Sequence, residues 1–308
     1  MILNKIFKSI LIYSCILLIN LSAKAQNDIP NNTINTAVQK AALAYLDSVQ
    51  TLSQSSYWVN VKPTIFLQNL KRNVQFPLQI NTGRGTNFCA FAAVSYTCLL
   101  NEPLRYVQCM VTLYNNGEAY YRKVHLQPSS AILHAAGLIQ FSGDLDNNPA
   151  EQIWFLTLAN DFKCYLNWFN MKYEPGDENT RWAASSLHKF NRILRQLCKY
   201  KTYSKGSDLL LLNKASIVST LQSKLQIGEV YLYLNNGLLR KKNHAKYKRL
   251  LPTHFVVLQK IYLDTNTNTI TLQYWDGGYI TIKEVAFKTF QKILYGYTYT
   301  KKNENSTP

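Results

Sequence analysis

Residues 85–96 read GTNFCAFAAVSY, with a cysteine at position 89. Thr86 or Asn87 can cap a helix, and the small and apolar residues that follow predict a buried helix over residues 87–100. Cys89 would lie in its first turn, where the helix dipole and free N–H groups favour thiolate over thiol. A cysteine in this position is either a nucleophile or a small apolar residue of the core.

Two predicted strands near the end of the chain supply candidate partners for this cysteine. They cover residues 253–263 and 270–276 and are separated by turn-forming residues. A hairpin turn centred on residue 265 pairs His254 directly with Asp276, and a turn centred two residues later still leaves Asp276 within reach. Asp276 shares a strand face with Ile270, Leu272 and Tyr274, where an unpaired carboxylate is costly.

Cys89, His254 and Asp276 have the composition of a nucleophilic triad. In a triad the histidine acts as general base and acid, while the carboxylate fixes the imidazole tautomer and stabilises the imidazolium. The alternative is a His–Asp hydrogen bond that only stabilises a sheet. The remaining histidines and cysteines lack the spacing of metal ligands, so the sequence predicts neither a metal site nor a cofactor.

These motifs resemble those of papain-like cysteine peptidases, nearest to the bacterial branch of double-glycine (bacteriocin-processing) peptidases. The resemblance rests on the Cys89 helix and on three later segments, residues 228–233, 253–258 and 274–278. It implies an α+β, papain-like fold in which a helical part carrying the nucleophile packs on an antiparallel β-sheet carrying His254 and Asp276. It also implies that Cys89 is the nucleophile, His254 the general base and acid, and Asp276 the orienting residue.

One position departs from the family pattern. The family has a glutamine six residues before the nucleophile to bind the developing oxyanion, whereas this chain has Gly83. Gln79, Asn81 and Asn87 are side-chain amides that could take this role, and the backbone N–H of Cys89 could contribute. Loss of one oxyanion donor costs on the order of a hundredfold in rate, so an unfilled role would make the enzyme weak or inactive.

The first 25 residues predict a secretory signal peptide. Lys5 and Lys8 precede an apolar run too short for a comfortable membrane span, and Ala23-Lys24-Ala25 is typical of a cleavage site. The mature chain would then begin near Gln26 and be secreted or periplasmic, with no transmembrane segment. Lipid attachment at Cys15 is the less favoured alternative.

The rest of the chain predicts a single papain-like domain at residues 26–308, with a helical insertion around 128–200. Tyr106 to Leu126 alternate between apolar and polar residues around an Asn-Gly turn, which predicts a β-hairpin. Residues 57–80 predict irregular structure. Periodicity and capping residues predict further helices at 37–54, 128–143, 149–169, 177–198 and 215–225.

The chain is strongly basic, with a net charge of +17 that falls to +14 when residues 1–25, which hold three lysines and no acidic residue, are removed. The densest positive run contains Arg240, Lys241, Lys242, Lys246, Lys248 and Arg249. This run is either a solvated loop or a surface for anionic polymers such as those of a cell wall. No nucleic-acid-binding motif accompanies it.

Two functions follow as hypotheses. The first is an exported cysteine hydrolase that cleaves peptide or amide bonds in a protein or cell-wall peptide. The alternative is a catalytically weak or inactive papain-like module that binds anionic polymers or a partner protein through the basic loop. The five cysteines left after signal removal include at least one unpaired thiol unless it bridges to another chain, and Cys89 could be that thiol.

Overall fold

An antiparallel sheet is the centre of the fold. The computed structural model describes residues 37–49, 51–83, 85–139, 148–198, 200–237 and 252–301, all within one unit, Thr33–Pro308. The strands in chain order are β1 (Ala119–Tyr121), β2 (Val124–Leu126), β3 (Lys201–Gly206), β4 (Val230–Leu234), β5 (His254–Asp264), β6 (Thr269–Asp276), β7 (Tyr279–Ala286) and β8 (Leu294–Lys301). β1 pairs with β2, and the other six form one sheet in the order β3-β8-β4-β5-β6-β7, with every neighbouring pair antiparallel.

Most of the helices precede this sheet in the chain. They are α1 (Ala37–Ser48), α2 (Pro63–Gln75), α3 (Cys89–Asn101), α4 (Pro103–Asn116), α5 (Ser130–Ala135), α6 (Pro149–Asp161), α7 (Leu187–Leu197), α8 (Ile217–Leu225) and α9 (Phe287–Ile293). Short 3-10 helices lie at Pro77–Gln79, Tyr165–Asn167 and Asp177–Asn179.

The central strand β4 contributes to two separate cores. Tyr231 and Tyr233 belong to a large core that includes residues of α3, α4, α6 and α7. Val230, Leu232 and Leu234 belong to a second core with residues of α8 and α9. All five residues of β4 are buried, because both faces of the sheet are covered at this strand, and β4 therefore reads as a continuous apolar run.

The combination of helices with an antiparallel sheet confirms an α+β fold. The helix predicted around Cys89 and the two strands predicted near the end of the chain are present as α3, β5 and β6. No helix in the described part of the chain is both long and apolar enough to span a membrane. The signal peptide at 1–25 and the basic run at 240–249 lie outside the described residues.

The predicted hairpin between Tyr106 and Leu126 is wrong in its first half. Residues 103–116 form α4, and only β1 and β2 form a hairpin. Pro103 occupies the first turn of α4, and Gly117 ends the helix in the left-handed region, with φ at 73°. The apolar residues of this segment fit a helical period as well as a period of two, and α4 buries its face Tyr106, Val107, Met110, Leu113 and Tyr114.

Helix boundaries also differ elsewhere: the helix predicted at 37–54 ends at Ser48, and the described helical part of the one predicted at 128–143 is Ser130–Ala135. Residues 57–80, where the sequence predicts irregular structure, contain α2, which begins with Pro63 at its first position. The helix predicted at 149–169 ends at Asp161. The helix predicted at 177–198 begins only at Leu187, because Ser186 is its N-cap and its hydroxyl oxygen accepts a hydrogen bond from the backbone N–H of Lys189 at 3.1 Å.

Candidate active site

His254 and Asp276 lie at the same end of the β5–β6 hairpin, His254 as the first residue of β5 and Asp276 as the last of β6. His254 Nε2 is 2.5 Å from Asp276 Oδ1. Their side chains are only 16% and 18% exposed, so the bond is largely shielded from water. The structure therefore joins the histidine and carboxylate that the sequence singles out.

The register of this hairpin lies between the two alternatives considered from the sequence. Val257 pairs with Trp275, which corresponds to a turn centred on residue 266, and the register shifts at an irregularity between Leu258 and Lys260. His254 and Asp276 are therefore diagonal neighbours rather than a directly opposed pair. Their side chains still meet because diagonal positions lie within reach of long side chains.

The end of β6 is anchored against the segment that precedes α3. Trp275 Nε1 donates a hydrogen bond to the Leu78 carbonyl oxygen at 2.8 Å. Gly278, in the turn after Asp276, has φ at 104°, and a Cβ added to it would lie 3.4 Å from the Ile80 carbonyl oxygen. A glycine at this position permits both the left-handed backbone and the close approach of the two segments.

Cys89 is the first residue of α3, as predicted, but the predicted cap residues do not cap the helix. Phe88 is the N-cap residue, and no side chain bonds to the first turn there. The backbone N–H of Asn87 instead donates to the Glu178 carbonyl oxygen, and its amide Nδ2 donates to Thr180, each at 2.8 Å. These bonds fix the chain just before Cys89 to the segment around residues 178–180.

The Cys89 thiol reaches the start of β5. Its Sγ is 4.0 Å from the Thr253 carbonyl oxygen, and the thiol also interacts with the imidazole of His254. Since Nε2 of the ring is bonded to Asp276, Nδ1 is the nitrogen left for the thiol. The three residues of the predicted triad thus meet in one place, in the order carboxylate, imidazole, thiol.

The charge state of His254 follows from these two neighbours. Burial lowers the pKa of the imidazole, but the Asp276 carboxylate and the Cys89 thiol outweigh burial and raise that pKa to about 10. His254 is therefore an imidazolium at neutral pH. An imidazolium beside a cysteine stabilises the thiolate by its positive charge and can later donate its proton to a leaving group.

Tyr233, which interacts with Cys89, belongs to a three-residue cluster that the sequence did not single out. Tyr165 and Tyr233 both bond through their hydroxyls to the carboxylate of Asp208, whose Oδ1 also accepts from the Leu187 backbone N–H at 2.8 Å. Burial and this carboxylate raise the pKa of Tyr165 to about 12, and burial, Asp208, Tyr165 and Cys89 raise the pKa of Tyr233. No local motif marks this cluster, because its members come from three distant parts of the chain.

The candidate oxyanion residues differ in the contacts that they already make. Gln79 ends a 3-10 helix, and Asn81 follows it in the segment that contacts the Gly277–Gly278 turn. The amide oxygen of Asn81 accepts from the Gly83 backbone N–H at 3.0 Å. The amide of Asn87 already donates to Thr180. The N–H of Cys89, at the first position of α3, has no intrahelical carbonyl to bond.

A polar network connects the nucleophile helix to the sheet. Glu229, directly before β4, accepts hydrogen bonds from Thr97 Oγ1 at 2.6 Å and from Asn101 Nδ2 at 3.1 Å. The hydroxyl of Tyr231 also donates to this carboxylate, at 2.6 Å. These bonds fix α3 against β4, and through the pairing of β4 with β5 they fix Cys89 relative to His254.

Within the described ranges, no group of three or more His, Cys, Asp or Glu side chains is arranged to hold a metal ion. A scan of the chain against models of protein families finds no match, and a search of curated proteins finds no significant match either. The assignment of chemistry to this site therefore rests on its residues and their geometry.

Proposed function

We propose that this protein is a thiol hydrolase that cleaves peptide or amide bonds with Cys89, His254 and Asp276. The observation that carries the proposal is the shared imidazole: one ring contacts a carboxylate at 2.5 Å and a thiol at the start of a buried helix. Structural His–Asp pairs do not require a thiol at the other ring nitrogen. A nucleophilic triad requires all three groups.

The proposed reaction begins from a thiolate–imidazolium pair. The Cys89 sulfur attacks the carbonyl carbon of the amide, and the electron pair of the C=O bond moves to oxygen. When the tetrahedral intermediate collapses, the C–N bond breaks and His254 donates its proton to the leaving amine. The resulting neutral His254 takes a proton from water, whose oxygen attacks the thioester; the C–S bond breaks, the acid leaves, and the thiolate–imidazolium pair is restored.

The oxyanion of the tetrahedral intermediate needs donors near Cys89. The N–H of Cys89 is available at the helix start, and Gln79 and Asn81 lie in the segment that borders the end of β6. We assign the second donor to this segment rather than to Asn87, whose amide is bonded to Thr180. Gly83 stands at the family's glutamine position, so the site differs there from papain-like relatives.

We further propose that the fold is papain-like and that the enzyme is exported to the periplasm or the medium. The helix that carries Cys89 packs on the antiparallel sheet that carries His254 and Asp276, as the resemblance requires. The apolar N-terminal run favours export. The net charge of +17 favours a substrate in an anionic envelope, either a protein or a cell-wall peptide.

Alkylation with iodoacetamide tests the proposal without knowledge of the substrate. A free thiol reacts half-maximally near pH ~8.5, whereas a thiolate held by an imidazolium reacts at lower pH. We expect selective labelling of Cys89 well below that pH, and loss of this selectivity in His254→Ala. Cys164→Ala is the matched control, because Cys164 is also a partly exposed free cysteine, and it should leave the profile unchanged.

Hydrolysis of a pool of peptides and muropeptides then separates the two functions considered above. Rapid labelling with turnover that requires Cys89 supports the hydrolase. Rapid labelling without turnover of any amide would favour the binding module instead. A Cys89 that labels no faster than Cys164 contradicts the proposed triad.

A further inference from the structure

Two buried thiols come together farther along the nucleophile helix. Cys98 lies in α3, and Cys198 is the C-cap residue of α7. Their Sγ atoms are 3.7 Å apart, although 100 positions separate them in the chain. Both side chains are buried, and both cysteines are free thiols.

We propose that Cys98 and Cys198 form a disulfide when the chain folds in an oxidising environment. Each thiol gives up its proton, the pair gives up two electrons, and one S–S bond forms. Oxidised glutathione, or the disulfide of a protein thiol oxidase, accepts the two electrons and two protons and becomes two thiols. The bond would fix the nucleophile helix α3 to α7.

The geometry favours this pair over other pairs. The two sulfurs need to approach by only ~1.7 Å to reach the roughly 2.05 Å of a disulfide, which is within the range of side-chain rotation. Cys109 on α4 is the other candidate partner for Cys98. Burial is the main cause of the raised pKa of the Cys109 thiol, and its interaction with Cys98 is the second cause. Among the described cysteines, however, the sulfur contact is the one between Cys98 and Cys198.

The burial of these thiols decides when the bond forms. The hydrogen bond with Cys98 is the largest cause, and burial the second, of a pKa of the Cys198 thiol well above its ordinary value. Because the thiolate is the form that exchanges with disulfides, the folded reduced protein should oxidise slowly. We therefore expect the disulfide to form during folding, before α3 and α7 are fully packed.

The bond would also stabilise the fold. It closes a loop that runs from α3 through α4, α5 and α6 to α7, and long closed loops restrict the unfolded chain most. It leaves Cys89 as a free thiol, so it is compatible with the proposed hydrolase but does not depend on it.

Peptide mapping of the full chain tests the inference directly. The reduced protein is denatured and refolded in a buffer of reduced and oxidised glutathione, blocked with iodoacetamide, and digested without reduction. Trypsin alone leaves Cys89 and Cys98 on one peptide, residues 85–105, so chymotrypsin is added to cleave after Phe91 or Tyr96. We expect a Cys98–Cys198 cross-linked peptide and a mass two hydrogens below the reduced protein.

Variants give a second readout. Cys109→Ser should keep the cross-link, whereas Cys98→Ser and Cys198→Ser should lose it. Reduction should lower the Tm of the wild type and of Cys109→Ser by several degrees and leave the other two variants unchanged. A Cys98–Cys109 link, a link to Cys89, or six alkylated cysteines after oxidative refolding would overturn the inference, and Cys89 labelling would still report separately on the hydrolase.

Discussion

The indole N–H of Trp275 is bonded to the carbonyl oxygen of Leu78 at 2.8 Å. This bond connects the strand residue next to Asp276 with the segment that leads into α3. One contact therefore couples the carboxylate of the candidate triad to the region that holds Gln79 and Asn81.

Replacement Trp275→Phe should slow the alkylation of Cys89 more than a variant with the same loss of unfolding free energy elsewhere in the fold. The variant leaves a buried carbonyl without its donor, so we expect a loss of about 1–3 kcal/mol of unfolding free energy. It should also slow the alkylation of Cys89, because Asp276 loses its anchor. The matched control is Trp58→Phe, which removes an equivalent bond to the Leu113 carbonyl oxygen at 2.7 Å.

Urea unfolding and alkylation rates, measured side by side, distinguish the two variants. Both should lose similar stability, and only Trp275→Phe should alter the labelling of Cys89. Equal labelling rates in the two would show that this anchor plays no part in the site.

Replacement Asp276→Asn should weaken the thiolate–imidazolium pair. The Asp276 carboxylate raises the pKa of His254, so its neutralisation should lower that pKa. The half-maximal pH for alkylation of Cys89 should then move upward, with a rate at pH 6 that falls at least about tenfold. Asp264→Asn, at the last residue of β5 and thus at the other end of the same hairpin, is the control and should not shift the profile. An unshifted profile in Asp276→Asn contradicts the orienting role.

The protonation of His254 should make stability depend on pH in a defined window. Its pKa is about 10 in the folded protein and near 6.5 in the unfolded chain, so between these values the folded state holds a proton that the unfolded state has released. This stabilisation is complete below about pH 6.5 and is lost as the pH rises through about 10. The unfolding free energy of the wild type should therefore fall across this window more steeply than that of His254→Gln.

Denaturant unfolding of both proteins at several pH values between 6.5 and 10.5 measures this difference. Titrating groups that do not interact with His254 are common to both proteins and cancel, so the difference reports on His254 and its partners Cys89 and Asp276. Parallel curves would mean that His254 is not held as an imidazolium.

Separate substitutions of Gln79, Asn81 and Asn87 should identify the side chain that donates to the oxyanion. Gln79→Ala or Asn81→Ala should reduce kcat on the order of a hundredfold while alkylation of Cys89 is unaffected, because the oxyanion exists only after attack on a carbonyl. Asn87→Ala should change kcat far less, since its amide is bonded to Thr180. Steady-state kinetics with any amide found to be cleaved gives the comparison. A dominant loss in Asn87→Ala would reverse this assignment.

The parts of the site that sequence reasoning found are those with a local signature. The Cys89 helix combines a glycine-rich approach with small residues, and the β5–β6 hairpin has apolar strands around a polar turn. What the sequence could not supply is the irregularity between Leu258 and Lys260, which shifts the register and makes His254 and Asp276 diagonal neighbours. Such irregularities depend on packing rather than on a residue motif.

The wrong hairpin prediction and the missed tyrosine–aspartate cluster also arise from contacts between distant parts of the chain. Residues 106–116 satisfy a strand period and a helix period equally, and tertiary packing selects the helix. The cluster of Tyr165, Asp208 and Tyr233 combines a 3-10 turn, a loop and a central strand, so no window of sequence contains it. Long-range proximity of this kind becomes visible only in three dimensions.

The long separation of the three residues of the candidate triad along the chain has a consequence for synthesis. A difference of 164 positions separates Cys89 from Thr253, and His254 and Asp276 follow still later. A ribosome-bound fragment that has already exposed Cys89 still lacks both the imidazole of His254 and the carboxylate of Asp276. The proposed hydrolase would therefore stay inert until the C-terminal strands emerge, and an unfinished chain would not act on the cell that makes it.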